Sequence, residues 1–420
     1  MLGELRAMSP AARLLVVNQT GVNLGFYMVL PFLASYLLDD LGMAAATVGL
    51  VLGARALSQQ GLFLPSGIAV DRFGPWYSIV AGCALRVVAF AGLGLADDPV
   101  IVVAAVLLIG VAGALFNPAA RTYLALESPD RRAEAFAVFE VFGNIGALLG
   151  PVLGALLLLA DFQTSCLLAA LVFAVLTIAQ VLVLPRAGRT GEPTPVLVGL
   201  REVLADRRFG LLVVAMSAYL ALFNQLYLTI PVEARRVTGN GGSIAVLFLV
   251  FSVLGIALQV RITRWCGRRW SPGTSVAVGL ATMGVSFLPL LVSTALVPAA
   301  SSDSTIVHAS VQAIPVVLAT IVFTVGGLMV VPYVVVLLSS RKGDRLLGTA
   351  YGWYYLVAAV ATMIVAWLSG ALIGVEGSLG RSLSFAMLLA VGLAGSAGVY
   401  VSSRGVPPRS PNHQTVDVPT

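Results

Sequence analysis

Twelve apolar stretches, each long enough to cross a lipid bilayer, constrain this chain more than any other feature of its sequence. A helix that crosses the ~30 Å hydrocarbon core needs about 20 mainly apolar residues. Hydrophobic residues make up 59% of the 420 residues and charged residues only 10%, whereas soluble domains have ~25% charged residues. Because a bilayer admits only helices or closed barrels, and these stretches are continuously apolar, they predict an all-α integral membrane protein.

We number the predicted stretches spans 1 to 12. Their ranges are about 11–38, 45–70, 76–96, 100–124, 134–159, 163–184, 209–231, 243–262, 272–297, 311–338, 347–374 and 383–402. Span 1 is too long and too polar for a cleaved signal peptide, so we expect it to remain in the mature protein.

The basic residues fall almost entirely on one side of this arrangement. With the N-terminus in the cytoplasm, 20 of the 25 lysines and arginines lie in cytoplasmic segments and 3 lie outside. Positive charge is retained on the cytoplasmic side, so both termini are predicted to be cytoplasmic in a multi-pass protein of a bacterial inner (plasma) membrane. The net charge of +6 is therefore a topology signal, and no nucleic-acid partner is expected because no basic stretch has interleaved aromatics.

The sequence shows none of the residue patterns that enzyme chemistry would require. Three cysteines and two histidines form no disulfide framework and no metal-ligand spacing. No phosphate-binding loop of the Gly-x-x-x-x-Gly-Lys-Ser/Thr type occurs, so ATP is not expected to act directly. We expect no catalytic residue, no metal and no cofactor.

The longest polar stretch between spans divides the chain into two sets of six spans. We predict an N-terminal six-helix bundle at 1–184, a cytoplasmic linker at 185–208, a C-terminal six-helix bundle at 209–402 and a disordered tail at 403–420. Two similar halves around a linker are the layout of many secondary transporters, with the substrate path between the halves.

A motif follows span 2, in what is predicted to be a loop. Gly67, Asp71, Arg72 and Gly74 form the pattern Gly-x-x-x-Asp-Arg-x-Gly. Together with the two sets of six spans, this pattern resembles the signature of the major facilitator superfamily, and the resemblance covers the whole membrane region. The glycines permit a tight turn and a close helix approach. The resemblance implies a cytoplasmic gate in which Asp71 faces the positive N-terminal end of span 11. The alternative is a turn that only sets topology.

The family's usual basic pair after the last glycine is absent here. Pro75 and Trp76 take its place, whereas the equivalent segment of the second half, Gly267-Arg268-Arg269, carries the basic pair.

Span 5 carries Gly146, Gly150, Pro151 and Gly154. This resembles the Gly-x-x-x-Gly-Pro-x-x-Gly element of drug:proton antiporters in the same superfamily. Small residues four apart form a groove for a close helix neighbour, and a proline bends the helix. The resemblance implies a seal between the halves near spans 5 and 8. A generic packing face is the alternative.

Three short strings are similar to the MdtH-type branch of 12-span multidrug exporters: Arg55-x-x-x-Gln59-Gln60-Gly61, Asp161-Phe162, and Asp206-Arg-Arg-Phe209. The resemblance implies a monomeric antiporter that exports lipophilic small molecules by alternating access. Its partners would be that substrate, protons and the lipid bilayer, with the proton gradient as the energy source.

Charged residues within spans are costly, so they are expected to face a cavity or a partner. The residues predicted to be buried polar groups or to couple protons are Glu140, Arg55, Arg86, Asn117 and Asn144. Glu140 is the only carboxylate placed inside a span, so we favour it as the proton carrier, loaded and released as it moves relative to Arg86. It could instead be a carboxylate at the cytoplasmic end that pairs with Arg121, Arg131 or Arg132. For Arg55 and Arg86 a structural role is the alternative.

The spans of the C-terminal half are expected to hold no charge and many aromatic residues. Such a wall suits lipophilic ligands because rings supply stacking and cation–π contacts; an interfacial belt is the alternative. The predicted substrate-cavity residues are Asn23, Tyr27, Gln59, Phe223, Asn224, Gln225, Tyr227 and Tyr354. Three other functions remain open: a carrier of a specific metabolite or lysolipid as symporter or uniporter, a membrane-embedded enzyme, and a scaffold or receptor.

Overall fold

The computed structural model is helical throughout its described part, which contains no strand. It describes residues 8–128, 132–186, 205–296, 310–342, 347–375 and 377–403. Eleven helices in this part are long and apolar enough to cross a membrane. They are Pro10–Asp40, Pro75–Leu95, Pro99–Glu127, Ala135–Leu157, Phe162–Val183, Arg207–Thr238, Gly242–Arg269, Pro272–Thr294, Ser310–Leu338, Thr349–Ile373 and Gly377–Ser403. They correspond to spans 1 and 3 to 12, so the all-α membrane class is confirmed.

Span 2 is interrupted, so the predicted number of twelve is not confirmed. A 16-residue helix, Ala45–Gln60, is followed at Phe63 by an 11-residue helix, Phe63–Phe73. Pro65 explains the break because a proline has no N–H to donate to the carbonyl four residues earlier, at Gly61. Neither helix alone reaches the ~20 residues that a crossing needs.

The helices pack as two halves. In the N-terminal half, span 1 packs on spans 5 and 6, and span 3 packs on spans 4 and 6. In the C-terminal half, span 9 packs on spans 10 and 12, and span 7 packs on spans 11 and 12. Spans 2 and 11, and spans 5 and 8, join the halves to each other.

The chain enters the linker at one end of the N-terminal half, which we call the linker end; the opposite end is the far end. The Trp76 indole donates to the Leu184 carbonyl at 3.0 Å, and the Tyr123 hydroxyl donates to the Pro185 carbonyl at 3.0 Å. Most of the predicted linker and nearly all of the predicted tail lie outside the described residues. The predicted domain boundaries therefore stay a prediction.

Spans 2 and 11 approach each other backbone to backbone toward the far end. A Cβ added at Gly53 would lie 2.8 Å from the Met363 Cα atom. A Cβ at Gly49 would overlap the Ala366 carbonyl oxygen, and one at Gly370 would overlap the Ala45 carbonyl oxygen. Glycine lets these backbones touch, so the halves are closely apposed at this end.

Two aspartates lie at the N-termini of helices, Asp206 before span 7 at the linker end and Asp161 before span 6 at the far end. Asp206 accepts a hydrogen bond from the Phe209 backbone N–H at 3.0 Å, and Asp161 accepts one from the Thr164 N–H. Both are N-caps, which satisfy otherwise unpaired N–H groups of the first turn. Hydrogen bonds from the Thr164 side chain and backbone lower the pKa of Asp161.

Span 7 extends beyond its predicted end at residue 231. A 3₁₀ turn, Asn224–Tyr227, interrupts it, and a final helix, Thr229–Thr238, continues it. Glu233 and two arginines therefore lie on the last helix of span 7, beyond the predicted end of the span. The predictions that the spans of this half hold no charge, and that Glu140 is the only carboxylate in a span, stay predictions.

Candidate site between the two halves

Aromatic rings from both halves meet at the interface. The hydroxyl oxygens of Tyr27 in span 1 and Tyr227 in span 7 lie 3.5 Å apart. The ring of Phe248 in span 8 lies 6.5 Å from Tyr27 and 5.7 Å from Tyr227, measured between centroids. Phe223 continues the series, 6.0 Å from Tyr227 and 6.1 Å from Phe251. We call Tyr27, Phe223, Tyr227, Phe248 and Phe251 the interface cluster.

Span 5 holds Tyr27 in place through its glycines. A Cβ added at Gly150 would lie 2.7 Å from the Tyr27 Cβ atom, and one at Gly146 or Gly154 would overlap a carbonyl oxygen of span 1. Pro151 is buried beside them. The predicted groove with a close helix neighbour is thus present, but span 1 fills it. These glycines face span 1 within the same half, and span 5 also contacts span 8. The implied role of the motif in a seal between the halves stays a prediction.

The 3₁₀ turn of span 7 positions the other tyrosine. Gln225 is fully buried, donates to the Ala221 carbonyl at 3.2 Å and accepts a hydrogen bond from Thr229. These bonds satisfy polar groups at the break in the helix. The Asn224 amide nitrogen, buried in the same turn, has no hydrogen-bond partner among the described residues.

Arg55 lies next to the interface cluster and is 5% exposed. Its Nη1 donates to Gln59 Oε1 at 3.1 Å, and its guanidinium carbon lies 5.6 Å from the Phe26 ring centroid. Tyr27 and Tyr227 lie within electrostatic range of Arg55. The predicted cavity residues Tyr27, Gln59 and Tyr227 are thus near Arg55, and its role in transport stays a prediction.

Asn23 joins spans 1 and 5. Its amide donates to the Gly143 carbonyl at 2.9 Å and accepts from Gln19 at 3.2 Å. Thr20 donates to the Phe142 carbonyl at 2.8 Å. Asn23 therefore links span 1 to span 5 through one N–H of its amide group.

Glu140 forms an ion pair with Arg121 at 2.7 Å, and both side chains are about half exposed at 53% and 57%. This is the alternative pairing considered for Glu140 at the sequence level. Tyr27 lies within electrostatic range of Glu140, and Tyr351 and Tyr355 of span 11 lie within that of Arg121. The pair therefore lies on the linker side of the interface cluster, between the halves.

The other predicted polar residues lie in three different settings. Arg86 is buried between the rings of Phe116 and Phe173, at 4.9 and 5.3 Å. Its Nε and Nη1 atoms have no hydrogen-bond partner among the described residues, and no contact joins it to Glu140. Asn144 is exposed and Asn117 half-buried. Arg86 thus belongs to the interior of the N-terminal half, away from the site.

The gate motif is helical rather than a loop. Residues 67 to 73 form the last turns of the helix Phe63–Phe73, and Gly74 ends it with φ +87°. That left-handed value favours glycine. A Cβ at Gly67 would meet nothing within 4 Å, so close approach does not require this glycine. Arg72 is exposed. The Asp71 side chain lies outside the described part, so its contact with span 11 stays a prediction.

Tyr354 is buried, and its hydroxyl has no hydrogen-bond partner among the described residues. Its ring lies 5.3 Å from Tyr355, which in turn lies 5.0 Å from Phe63 of the N-terminal half. A second aromatic contact between the halves thus lies toward the linker end.

The far end carries charges that the sequence analysis did not place in the site. Glu233 is 2% exposed and accepts two hydrogen bonds from Arg236, at 2.8 and 2.7 Å. Asp39 at the end of span 1 pairs with Arg235 of span 7 at 3.1 Å, across the halves. The signal was present in the spacing, since Glu233 and Arg236 are three residues apart on one helix face.

Comparisons with known proteins agree on the family. The model of the Major Facilitator Superfamily matches residues 15–366. An MFS-type transporter of Mycobacterium tuberculosis is 38% identical over 399 residues, which cover 94% of this chain and 93% of that protein. The multidrug resistance protein MdtH of Salmonella arizonae is 32% identical over 277 residues, covering 66% of this chain and 69% of MdtH.

Solved structures show the same fold. A POT family transporter in complex with 5-aminolevulinic acid has a TM-score of 0.78 at 13% identity, covering 94% of this chain and 98% of that one. The nucleoside transporter NupG also has a TM-score of 0.78, at 11% identity, with 94% and 100% covered. At sequence identities this low, structural similarity shows a shared fold and does not indicate the substrate. With its sequence relatives and its helical halves, the chain belongs to the major facilitator superfamily and is a membrane transporter, not an enzyme.

Proposed function

We propose that the chain is a proton-coupled exporter of lipophilic small molecules that works by alternating access in a bacterial inner membrane. The interface cluster is the observation that carries this proposal, because rings from both halves meet where a ligand would pass. An aromatic pair contributes about 0.5–1.5 kcal/mol beyond the burial of its surface. A ligand ring can therefore replace such a contact at small net cost. The relatives named multidrug resistance protein MdtH support the same proposal.

Alternating access requires one end to close while the other opens. At the far end, the ion pair of Asp39 with Arg235 and the glycine contacts of spans 2 and 11 hold the halves together. Toward the linker end, Glu140 and Arg121 are half exposed. With a cytoplasmic linker, this arrangement receives ligand from the cytoplasm.

Glu140 is the proposed proton carrier. A half-exposed ion pair contributes about 0–1 kcal/mol, so the pair of Glu140 with Arg121 can separate and form again at small cost. Tyr351 and Tyr355 of span 11 lie within electrostatic range of Arg121. Loss of the Glu140 charge would leave the Arg121 charge unpaired beside the other half, which would couple proton binding to the contact between the halves.

Transport by Glu140→Gln in proteoliposomes tests this coupling. We expect the variant to lose uphill transport driven by a pH gradient and to keep downhill exchange of the same dye. Glu127→Gln is the matched control, because Glu127 is a carboxylate at the same end that bonds Ser9 instead. Retained uphill transport by Glu140→Gln would contradict the assignment.

A further inference from the structure

The charge between the halves is not balanced. Arg55 is buried and makes one hydrogen bond, to the neutral amide of Gln59. Within the described part of the chain, no carboxylate lies within ion-pair distance of Arg55. Three carboxylates near the interface, Glu140, Glu233 and Asp39, are each paired with another arginine. One positive charge therefore remains next to the interface cluster.

One further group beside the interface cluster can donate a hydrogen bond that it does not make. The Asn224 amide nitrogen, in the same 3₁₀ turn as Tyr227, is buried and has no partner among the described residues. Buried donors are normally satisfied. A ligand that brings acceptor oxygens would satisfy such donors, and one that brings an ammonium group would not.

From the proposal that a lipophilic ligand binds between the halves, we infer the chemistry of its polar end. We propose that the substrate is an amphiphile with an acidic head group, a carboxylate, bound by Arg55. The planar guanidinium fork matches a carboxylate with two parallel hydrogen bonds. The apolar body would lie against the interface cluster. A cationic head group would instead meet the charge of Arg55 at low dielectric and be repelled.

Arg55 already has a partner in the Phe26 ring, 5.6 Å from its guanidinium carbon. A ring compensates only part of the charge because its attraction is weaker than that of a carboxylate. The Phe26 ring also meets Tyr27 edge-on at 5.2 Å. These contacts position the Arg55 guanidinium beside the interface cluster, where it could bind the head group of a ligand.

Equilibrium binding of three matched dansyl probes tests the proposal. All three share one alkyl chain and end in a carboxylate, its methyl ester or an ammonium group. Binding is measured on the full chain in phosphatidylcholine nanodiscs, with empty nanodiscs subtracted, and without any gradient. The carboxylate probe is expected to bind at least about tenfold more tightly than the ammonium probe.

Variants assign the preference to Arg55. Arg55→Gln is expected to bring the two affinities within about twofold of each other, while Arg55→Lys keeps part of the preference because it keeps charge but loses the fork. Arg264→Gln removes an exposed arginine elsewhere in span 8 and is expected to keep the wild-type ratio.

Three outcomes would overturn the inference: tighter or equal binding of the ammonium probe, an unchanged ratio in Arg55→Gln, or no specific binding of any probe. Because no gradient is used, failure of proton coupling leaves this result untouched. Preference for the ammonium probe would likewise leave export itself intact.

Discussion

Side chains predicted one by one from the sequence come together around Arg55. Tyr27, Gln59 and Tyr227 come from spans 1, 2 and 7, and the structure places all three near this guanidinium. The sequence could indicate each of them because a polar group in an apolar span needs a partner. It could not indicate Phe248 or Phe251, since a phenylalanine in a membrane span has no such need.

Glu233 was missed for a physical reason that also leads to a test. The residues around it are too polar for a span, but Glu233 and Arg236 neutralise each other within one helix turn. Breaking a buried pair costs about 3–5 kcal/mol because one charge stays behind. Glu233→Gln is therefore expected to cause a clear decrease in the melting temperature of the protein in detergent.

Asp39→Asn is the control for Glu233→Gln. It breaks an ion pair with Arg235 whose side chains are 50% and 39% exposed, at the same end of the molecule. Exposed pairs contribute about 0–1 kcal/mol, so the melting temperature should barely change. Equal effects of the two substitutions would show that the Glu233 pair is not buried in the protein.

At the scale of helices, long apolar spans could be predicted and their interruptions could not. Spans 1 and 3 to 12 appear close to their predicted ranges because twenty apolar residues in lipid have no other stable form. The break in span 2 depends on one proline, Pro65, and the turn in span 7 on side-chain bonds of Gln225 and Thr229. The apolar composition of a whole span does not show where one residue will interrupt the helix.

The partner of the glycines in span 5 shows the same limit. Their spacing predicts a groove, but many neighbours could fill a groove, and only the packing shows that it is span 1. Gly150→Leu is expected to push Tyr27 away from the interface and to destabilise the protein by about 1–3 kcal/mol through overpacking. Both the melting temperature and dye efflux should fall.

Gly255→Leu is the matched control for Gly150→Leu. Gly255 also lies in the middle of a membrane helix, but an added Cβ there would meet nothing within 4 Å. The same substitution should leave stability and efflux near wild type. If Gly150→Leu behaved like Gly255→Leu, the contact between spans 1 and 5 would not be as close as described.

At the scale of the whole molecule, the proposal requires the far end to open. In a background without the native cysteines, a short bifunctional thiol reagent should join Asp39→Cys to Arg235→Cys across the halves and stop transport. Thr294→Cys with Ser382→Cys provides the control, because these hydroxyls lie 2.7 Å apart within the C-terminal half. That second cross-link should leave transport unchanged. Continued transport with the first cross-link complete would show that the halves do not part there.

Movement of a lipophilic dye by the wild-type protein, under imposed pH gradients of both signs, measures the proposed export most directly. Proteoliposomes of fixed orientation are equilibrated with the same dye concentration on both sides, and the change in dye inside is followed after each gradient is set. Antiport predicts accumulation only in the compartment that proton flow leaves, and reversal of the gradient should reverse the direction. Accumulation in the compartment that protons enter, or rates that ignore the gradient, would contradict proton-coupled export.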